Sequence, residues 1–499
     1  MKKSIIWSVL AGFIALFMSS VTMSSVKEAP AEFSEETKAC VSCHKKNNPG
    51  IVQQWGQSKH YRGKVGCYEC HQADEGDPDA YIHDEKKVKK HISIIVSPKD
   101  CSNCHEKEVK QATESHHAKA AHILSSLDNL LAEVVEGNSD FITESFPEGN
   151  SAAAVSGCWQ CHGSKVKVLA DGQLDPATWP NTGIGRINPD GSEGACSACH
   201  ARHQFSVEQA RQPETCGKCH LGPDHPQKEV YEESKHGIQY SANKHKMDLS
   251  NPKWIPGEDY FTGPTCSTCH MGATKKQGVT HNVGDRISWN NRPPVSTRPE
   301  VVDAKMGLPS ANLGWEDRRD NMKDVCSACH SEEYIESFYV QYDGLINLYN
   351  EKFAKPGLAL AKLAKPLLKP AKFSNKLDWI WFELWHHEGR RARMGTAMMG
   401  PDYTHWHGTY EVAQHFYIKF VPELEHLIEK GMASRDAAKV DAAKALRAKL
   451  DEVLNSENHK WYLGKLSDKQ KAIRKAAVAA GKEAAKQAAG VAAPAPAKK

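Results

Sequence analysis

The repeated unit Cys-x-x-Cys-His is the part of this sequence best suited to chemistry. It occurs eight times and uses all sixteen cysteines. The two cysteines of each unit can form thioethers to a porphyrin, and the histidine that follows can bind its iron from one side. Zinc sites need no histidine after every second cysteine, and a disulfide framework leaves the eight histidines unexplained. The spacing therefore predicts eight covalently attached haem c groups.

The predicted attachment residues are Cys40, Cys43, Cys67, Cys70, Cys101, Cys104, Cys158, Cys161, Cys196, Cys199, Cys216, Cys219, Cys266, Cys269, Cys326 and Cys329. The predicted proximal iron ligands are His44, His71, His105, His162, His200, His220, His270 and His330.

Further histidines are available to bind the second side of each iron. Three of them stand in a recurring pattern, Trp55-x-x-Ser58-x-His60, Ala112-x-x-Ser115-x-His117 and Tyr231-x-x-Ser234-x-His236. Each pattern follows a haem motif at a distance that lets the chain turn back onto a neighbouring haem. We predict His60, His117 and His236 as distal ligands, with His203, His281, His91, His122 and His245 as weaker candidates. Surface histidines are the alternative interpretation.

An acid-base pair follows the sixth motif directly, in Cys-His-Leu-Gly-Pro-Asp224-His225. An imidazole titrates near neutrality, and a neighbouring carboxylate fixes its orientation, so the pair can move protons beside a haem iron. In the alternative interpretation, His225 ligates a neighbouring haem and Asp224 caps a turn. Residues 179–194 are rich in Gly, Pro, Asn and Asp, which predicts a loop that either lines a pocket or covers a haem.

Charge excludes one class of partner. The chain has 64 basic and 61 acidic side chains. Eight haems would bring propionates and ferric irons that shift the total from +3 to about −5. The basic excess is therefore assigned to propionates, and the absence of a basic patch with interleaved aromatic residues argues against nucleic-acid binding.

The chain divides into four predicted regions. Residues 1–26 have a basic start and a short apolar run, which indicates a signal peptide and export to the periplasm or an equivalent compartment, with retention as a membrane anchor as the alternative. Residues 27–331 hold the motifs, residues 332–465 have helical periodicity, and residues 466–499 form an Ala/Lys-rich, partly disordered tail. The predicted fold class is mainly α, with a multihaem cytochrome c domain of long loops around eight haems and a C-terminal bundle of long helices.

The motifs resemble a known family. Eight Cys-x-x-Cys-His units, CHLGPDHP after the sixth, CHMG with THNVG after the seventh and PDYTHWHGTYE in the helical region are similar to octahaem hydroxylamine oxidoreductase. The resemblance covers about Cys40 to about Lys430. It implies that the fourth haem, bound by His162, is catalytic with an open distal face, and that Asp224 and His225 stand over the substrate.

In that family the oxidative members cross-link a tyrosine of a neighbouring subunit to the catalytic haem. The best match here is Tyr403, with Tyr410 as the competitor and helix packing as the alternative role for both. The resemblance also implies a homotrimer.

The sequence therefore predicts a haem-dependent enzyme of the hydroxylamine dehydrogenase type. It would oxidise hydroxylamine to nitrite or nitric oxide, and the electrons would leave through bis-histidine haems to a soluble c-type cytochrome. The alternatives are an ammonia-forming nitrite or hydroxylamine reductase, a hydrazine dehydrogenase and a non-catalytic electron-transfer cytochrome.

Overall fold

The architecture comes from a computed structural model that describes residues 31–83, 89–125, 134–135 and 153–490. The predicted signal peptide and the last nine residues of the tail lie outside these ranges. The described chain is mainly helical, and its two short strands, Tyr81–Ile82 and His91–Ile92, pair antiparallel. The predicted mainly α fold class is confirmed.

Short helices separated by loops make up the part that carries the motifs. The α-helices there are Glu35–Asn47, Pro49–Gln57, Lys59–Arg62, Cys67–His71, Pro98–Thr113, Trp159–His162, Val207–Arg211, Pro213–Gly217, Gln227–Glu233, Lys235–Asn243, Cys266–His270, Pro299–Lys305 and Trp315–Cys326. Tighter 3-10 turns occur at Ala120–Ser125, Cys196–Ala198, Lys244–Lys246, Val283–Arg286 and Pro309–Asn312, and a wide turn at Ala154–Cys158. The motif histidines stand at or near helix ends, and His105 breaks its helix with φ −119° and ψ 45°.

Longer helices follow. They are Glu332–Tyr349, Lys355–Ala364, Lys376–Phe382, Gly389–Ala397, Pro401–Thr404, Glu411–His415, Val421–Met432, Ala437–Asn455 and Asp468–Gly490, with a 3-10 turn at Lys365–Leu367 and wide turns at Asn350–Ala354, Glu383–Glu388, His405–Tyr410 and Phe416–Phe420. The wide turns merge neighbouring segments into continuous helices over 332–364, 376–397 and 401–432.

Two of the wide turns explain how prolines fit inside these helices. Pro356 and Pro422 each stand two residues after a wide turn ends. A proline has no N–H to donate, and its ring clashes with the carbonyl four residues earlier. A turn opened to i→i+5 hydrogen bonding relieves both problems, so the helix continues without a sharp break.

The largest apolar core lies among these longer helices. Val412, Phe416, Phe420 and Leu424 stand four residues apart, so they lie on one helical face, and all four are fully buried. Leu446 of the helix Ala437–Asn455 packs in the same cluster. No helix in the described ranges is long and apolar enough to span a bilayer.

Candidate haem centres and active site

A buried serine positions two of the predicted distal histidines. Ser58 and Ser234 have extended backbones, end one helix and start the next, and each hydroxyl accepts the backbone N–H three residues on. His60 and His236 therefore project from the first turn of a helix with a fixed start. Ser115 is equally buried, but its hydroxyl donates to the carbonyl three residues back. The recurring sequence pattern thus corresponds to a helix break just before the histidine.

Pairs of imidazoles face one another across most of the motif part. Two imidazoles on opposite sides of one iron have ring centres about 6.4 Å apart, since each iron–nitrogen bond is about 2.0 Å and each nitrogen lies about 1.2 Å from its ring centre. The observed ring-centre distances are 6.2 Å for His44 and His83, 6.2 Å for His105 and His60, 6.4 Å for His71 and His203, 6.1 Å for His220 and His117, and 6.0 Å for His330 and His236. Five motif histidines thus have a second imidazole at the spacing that a bis-histidine haem requires.

The remaining motif histidines have other surroundings. His281 is near enough to His200 to help lower its pKa, after burial, to about 4. Burial lowers the pKa of His270 and His117 to about 4 as well. These imidazoles are neutral at pH 7, which is the form that binds iron, so the residues present fit the haem groups.

The loop 179–194 contacts the backbone of the fourth motif. The Nδ1–H of His162 donates to the carbonyl of Ala120 at 3.2 Å. Backbone N–H groups of Ile184 and Gly185 donate to the carbonyls of Cys161 and His162 at 3.0 and 3.1 Å. These contacts favour the interpretation of the loop as a cover for a haem attachment site over that of a pocket lining.

His162 differs from the paired motif histidines on its other side. All 26 histidines of the chain lie in the described ranges, and the ring contacts at the bis-histidine spacing include neither His162 nor two further motif histidines, His200 and His270. The Cys161 sulfur lies 3.9 Å from the Lys218 carbonyl oxygen, which brings the fourth and sixth motifs together. The backbone at Lys218, inside the sixth motif, therefore lies beside the fourth motif.

Three basic side chains converge on the Asp224 carboxylate, whose side chain is 20% exposed. Its Oδ2 atom lies 3.3 Å from Nη1 of Arg390, 3.6 Å from Nε2 of His225 and 4.0 Å from Nε2 of His386. The guanidinium also donates through Nε to the Arg292 carbonyl at 2.9 Å. Asp224 is thus anchored by an arginine while it faces the imidazole that we predicted as the proton acceptor.

The second nitrogen of His225 is available for other contacts. Its Nδ1 atom is buried and accepts or donates no hydrogen bond to any described residue. His225 is also close enough to the Cys161 sulfur to act on it electrostatically, so it lies near the fourth motif.

Its ring centre is also 6.0 Å from that of His220, so the ring spacing alone permits His225 as a ligand of the sixth haem. His117 is the better ligand there, since it comes from a distant segment and can approach from the far side of a porphyrin. Only four residues separate His220 from His225, and they would have to pass around the macrocycle edge.

Tyr403 lies on the outer side of this region within one chain. Its backbone N–H donates to Glu233 at 3.1 Å, its ring centre is 5.6 Å from that of His407, and burial raises its pKa. Tyr410 is 49% exposed and packs on Trp406. Neither tyrosine contacts Asp224 or His225 in the described part of the chain.

Sequence reasoning missed three residues of these sites. His83 has no serine pattern before it and reaches His44 through the short strand pair, so nothing local marked it. Arg390 and His386 reach Asp224 from a helix more than 150 positions away along the chain. The run Trp-His-His-Glu-Gly-Arg-Arg at 385–391 was the available signal, because it places charge on a largely buried helix.

Comparison with known proteins agrees with the haem geometry. Residues 188–356 match the family described as seven times multi-haem cytochrome CxxCH, and residues 1–96 match the N-terminal region of the NapC/NirT cytochrome c family. A probable nitrite reductase-hydroxylamine oxidoreductase fusion protein from Kuenenia stuttgartiensis is 26% identical over 332 residues, which are 59% of this chain and 34% of that protein. The chain thus spans about a third of the length of that relative.

Solved structures share the fold. A hypothetical multiheme protein has a TM-score of 0.66 at 28% identity, over 82% of this chain and 98% of that one. A chain of the reducing HAO-like protein complex from Kuenenia stuttgartiensis has a TM-score of 0.54 at 20% identity, over 84% and 87% of the two chains. The motifs, the imidazole pairs and these matches define a multihaem c-type cytochrome with covalently bound haem and a redox function.

Proposed function

We propose that the chain is an octahaem oxidoreductase that oxidises hydroxylamine to nitrite or nitric oxide at the fourth haem. Cys158, Cys161 and His162 would hold that haem, which would supply the substrate-binding iron and the one-electron steps. The seven other haems would carry electrons to the surface. The observation that carries the proposal is that Asp224, His225 and Arg390 meet beside the fourth motif, whose His162 is not among the five motif histidines with a second imidazole at the bis-histidine spacing.

The chain's own residues would manage the protons. His225 directs Nε2 toward Asp224 and leaves a buried Nδ1 without a partner among the described residues, so Nδ1 can accept a proton from a bound substrate. Asp224 stabilises the imidazolium that forms, and Arg390 keeps the carboxylate in place. Oxidation of hydroxylamine to nitrite releases several protons, so an oriented acceptor near the iron is required.

The ferric spectrum of the purified protein tests the proposal. Electron paramagnetic resonance is expected to show one high-spin haem among low-spin haems, and hydroxylamine is expected to change the high-spin signal alone. A uniformly low-spin protein without response to hydroxylamine would instead be an electron-transfer cytochrome. Steady-state assays with hydroxylamine, hydrazine and nitrite, each with a redox dye, then separate the substrates.

An ammonia-forming nitrite or hydroxylamine reductase is the second candidate. The convergence of Arg390, His386 and His225 on one carboxylate favours it, because basic groups at a site assist the binding of an anion such as nitrite. Mass spectrometry of the haem peptide around Cys158–His162 separates the directions. An attached peptide that contains Tyr403 supports the oxidative reaction with Tyr403 as the cross-linked residue. An attached peptide that contains Tyr410 supports the same reaction with Tyr410 in that role, and an unmodified haem favours the reductive reaction.

The partners follow from the same proposal. We infer export to the periplasm, with the match of residues 1–96 to the NapC/NirT family in support. The electron partner would be a soluble c-type cytochrome. A homotrimer would bring Tyr403 of one copy to the fourth haem of the next, and light scattering of the purified protein tests the trimer.

A further inference from the structure

We propose that Glu193 is a positioning residue for the fourth haem, because it fastens the turn whose carbonyl holds the proximal ligand His162. Nothing in the motifs marks this residue. The inference rests on the proposed function in one respect, since it takes the fourth haem to be the one that binds substrate.

Glu193 binds two side chains of the turn 119–122, one through each carboxylate oxygen. Its Oε2 atom accepts a hydrogen bond from the Lys119 ammonium, and its Oε1 atom lies 2.9 Å from Nε2 of His122. The carboxylate is mostly buried, with 21% of the side chain exposed. Its pKa is lowered although burial acts to raise it, since Lys119 and His122 both favour the charged form. These are charge-assisted hydrogen bonds, which are roughly twice as strong as neutral ones.

Lys119 and His122, the two residues that bind Glu193, flank the Ala120 carbonyl. Ala120 lies between Lys119 and His122, and its oxygen accepts the Nδ1–H of His162 at 3.2 Å. The peptide N–H of Ala120 in turn donates to the carbonyl of His117 at 3.2 Å. The turn therefore connects the proximal ligand of the fourth haem with the proposed distal ligand of the sixth.

Glu193 itself is held rigidly on the cover loop. An antiparallel bridge joins it to Ile187, and the N–H of Gly194 donates to the Arg186 carbonyl at 2.8 Å. Arg186 is 2% exposed, and its guanidinium bonds the loop to the carbonyl of Val96 at 3.1 Å. The carboxylate thus connects two backbone segments that both contact His162, and its loss removes the side-chain link between them.

The hydrogen bond from a ligating imidazole to a carbonyl raises the basicity of the imidazole and so stabilises the ferric iron. A looser turn weakens that bond. In Glu193→Gln we therefore expect a higher midpoint potential for the fourth haem, by about 59 mV for a tenfold change in the ratio of its two redox forms. The iron–histidine stretching frequency of the reduced high-spin haem is expected to fall.

The experiment compares the holoprotein and its variants by resonance Raman spectroscopy and by potentiometric titration of the high-spin band. Lys119→Met removes one of the two contacts of Glu193. It is expected to shift the midpoint potential and the stretching frequency in the same directions as Glu193→Gln, but by smaller amounts. Lys119→Arg keeps the contact and is expected to retain the wild-type values. Asp190→Asn is the matched control, because Asp190 lies on the same loop but binds Ser97 and Ser192. If Glu193→Gln fails to fold, Lys119→Met carries the same test.

A normal potential and stretching frequency in both Glu193→Gln and Lys119→Met would overturn the role of Glu193. Haem loss or a lower melting temperature without a shift in either quantity would assign Glu193 to stability alone and would also overturn it. A wild-type protein without a high-spin haem would instead overturn the proposed function, so the two failures are distinct.

Discussion

The substitution Asp224→Asn tests the proposed proton chemistry most directly. It keeps the size of the side chain and removes the charge that faces Arg390, His225 and His386. In this variant His225 remains as a proton acceptor, but it lacks the carboxylate that orients its imidazole and stabilises its protonated form. We expect kcat for hydroxylamine oxidation to fall about 100-fold, the lower end of what a positioned acid-base group contributes.

The same substitution has a separate effect on stability. A hydrogen bond to a charged group contributes about 1.5–3 kcal/mol to stability, and the 3.3 Å contact with Arg390 is of this kind. Because the Asp224 side chain is 20% exposed, we expect the free energy of unfolding to fall by about 1–2 kcal/mol. Haem content should stay at the wild-type level, since Asp224 attaches no haem.

The assay is dye-coupled hydroxylamine oxidation, with haem content and thermal unfolding measured on the same samples. Glu411→Gln is the matched control, because Glu411 pairs at 2.7 Å with Arg391, the residue next to Arg390, and is 26% exposed. It should show a similar small loss of stability and wild-type turnover. A kcat for Asp224→Asn within roughly threefold of wild type, with full haem content, would refute the assignment of Asp224 and His225.

Other parts of the structure give three further predictions. His236→Ala should add one high-spin haem to the ferric electron paramagnetic resonance spectrum, and an unchanged spectrum would reject His236 as a ligand. Burial lowers the pKa of His459 to about 4, below about 6.5 in the unfolded chain, so unfolding takes up a proton between these values. Stability should fall by about 2–3 kcal/mol as pH drops through that window, and His459→Gln should flatten the pH dependence of thermal unfolding. In Gly185→Ala a new Cβ would stand 2.7 Å from the Ala120 nitrogen, so the high-spin signal should broaden or vanish, in contrast to Gly76→Ala, where the space is open.

Local patterns in the sequence predicted the haem residues and the main helical core. The motif spacing is chemical, so it needs no fold to be recognised, and the four-residue spacing of Val412, Phe416 and Phe420 identifies one buried face. The serine before His60 and His236 marks a helix start that a sequence pattern can reveal. Features that are determined by three to six neighbouring residues, such as the haem motifs and the helix starts, were therefore predictable.

The surroundings of Asp224 were not predictable in the same way. Arg390 meets Asp224 through packing of the helix 376–397 on the motif part, and no local signal carries that pairing. His83 likewise depends on the register of two short strands. The grip of Glu193 on its turn joins positions 71 and 74 residues apart, so it becomes visible only when the backbone is in place.

The uneven distribution of apolar clusters bears on how this protein matures. The larger clusters lie between Ile335 and Leu454, whereas the described part of the motif region has a small one around Trp254. A polypeptide with little of its own to bury stays open until a cofactor fills it. Each cysteine pair then remains accessible to the enzymes that attach haem. Each haem that is attached also makes the motif region more compact. In cells starved of haem, proteases should therefore degrade the motif region first and leave the C-terminal helices as a resistant fragment.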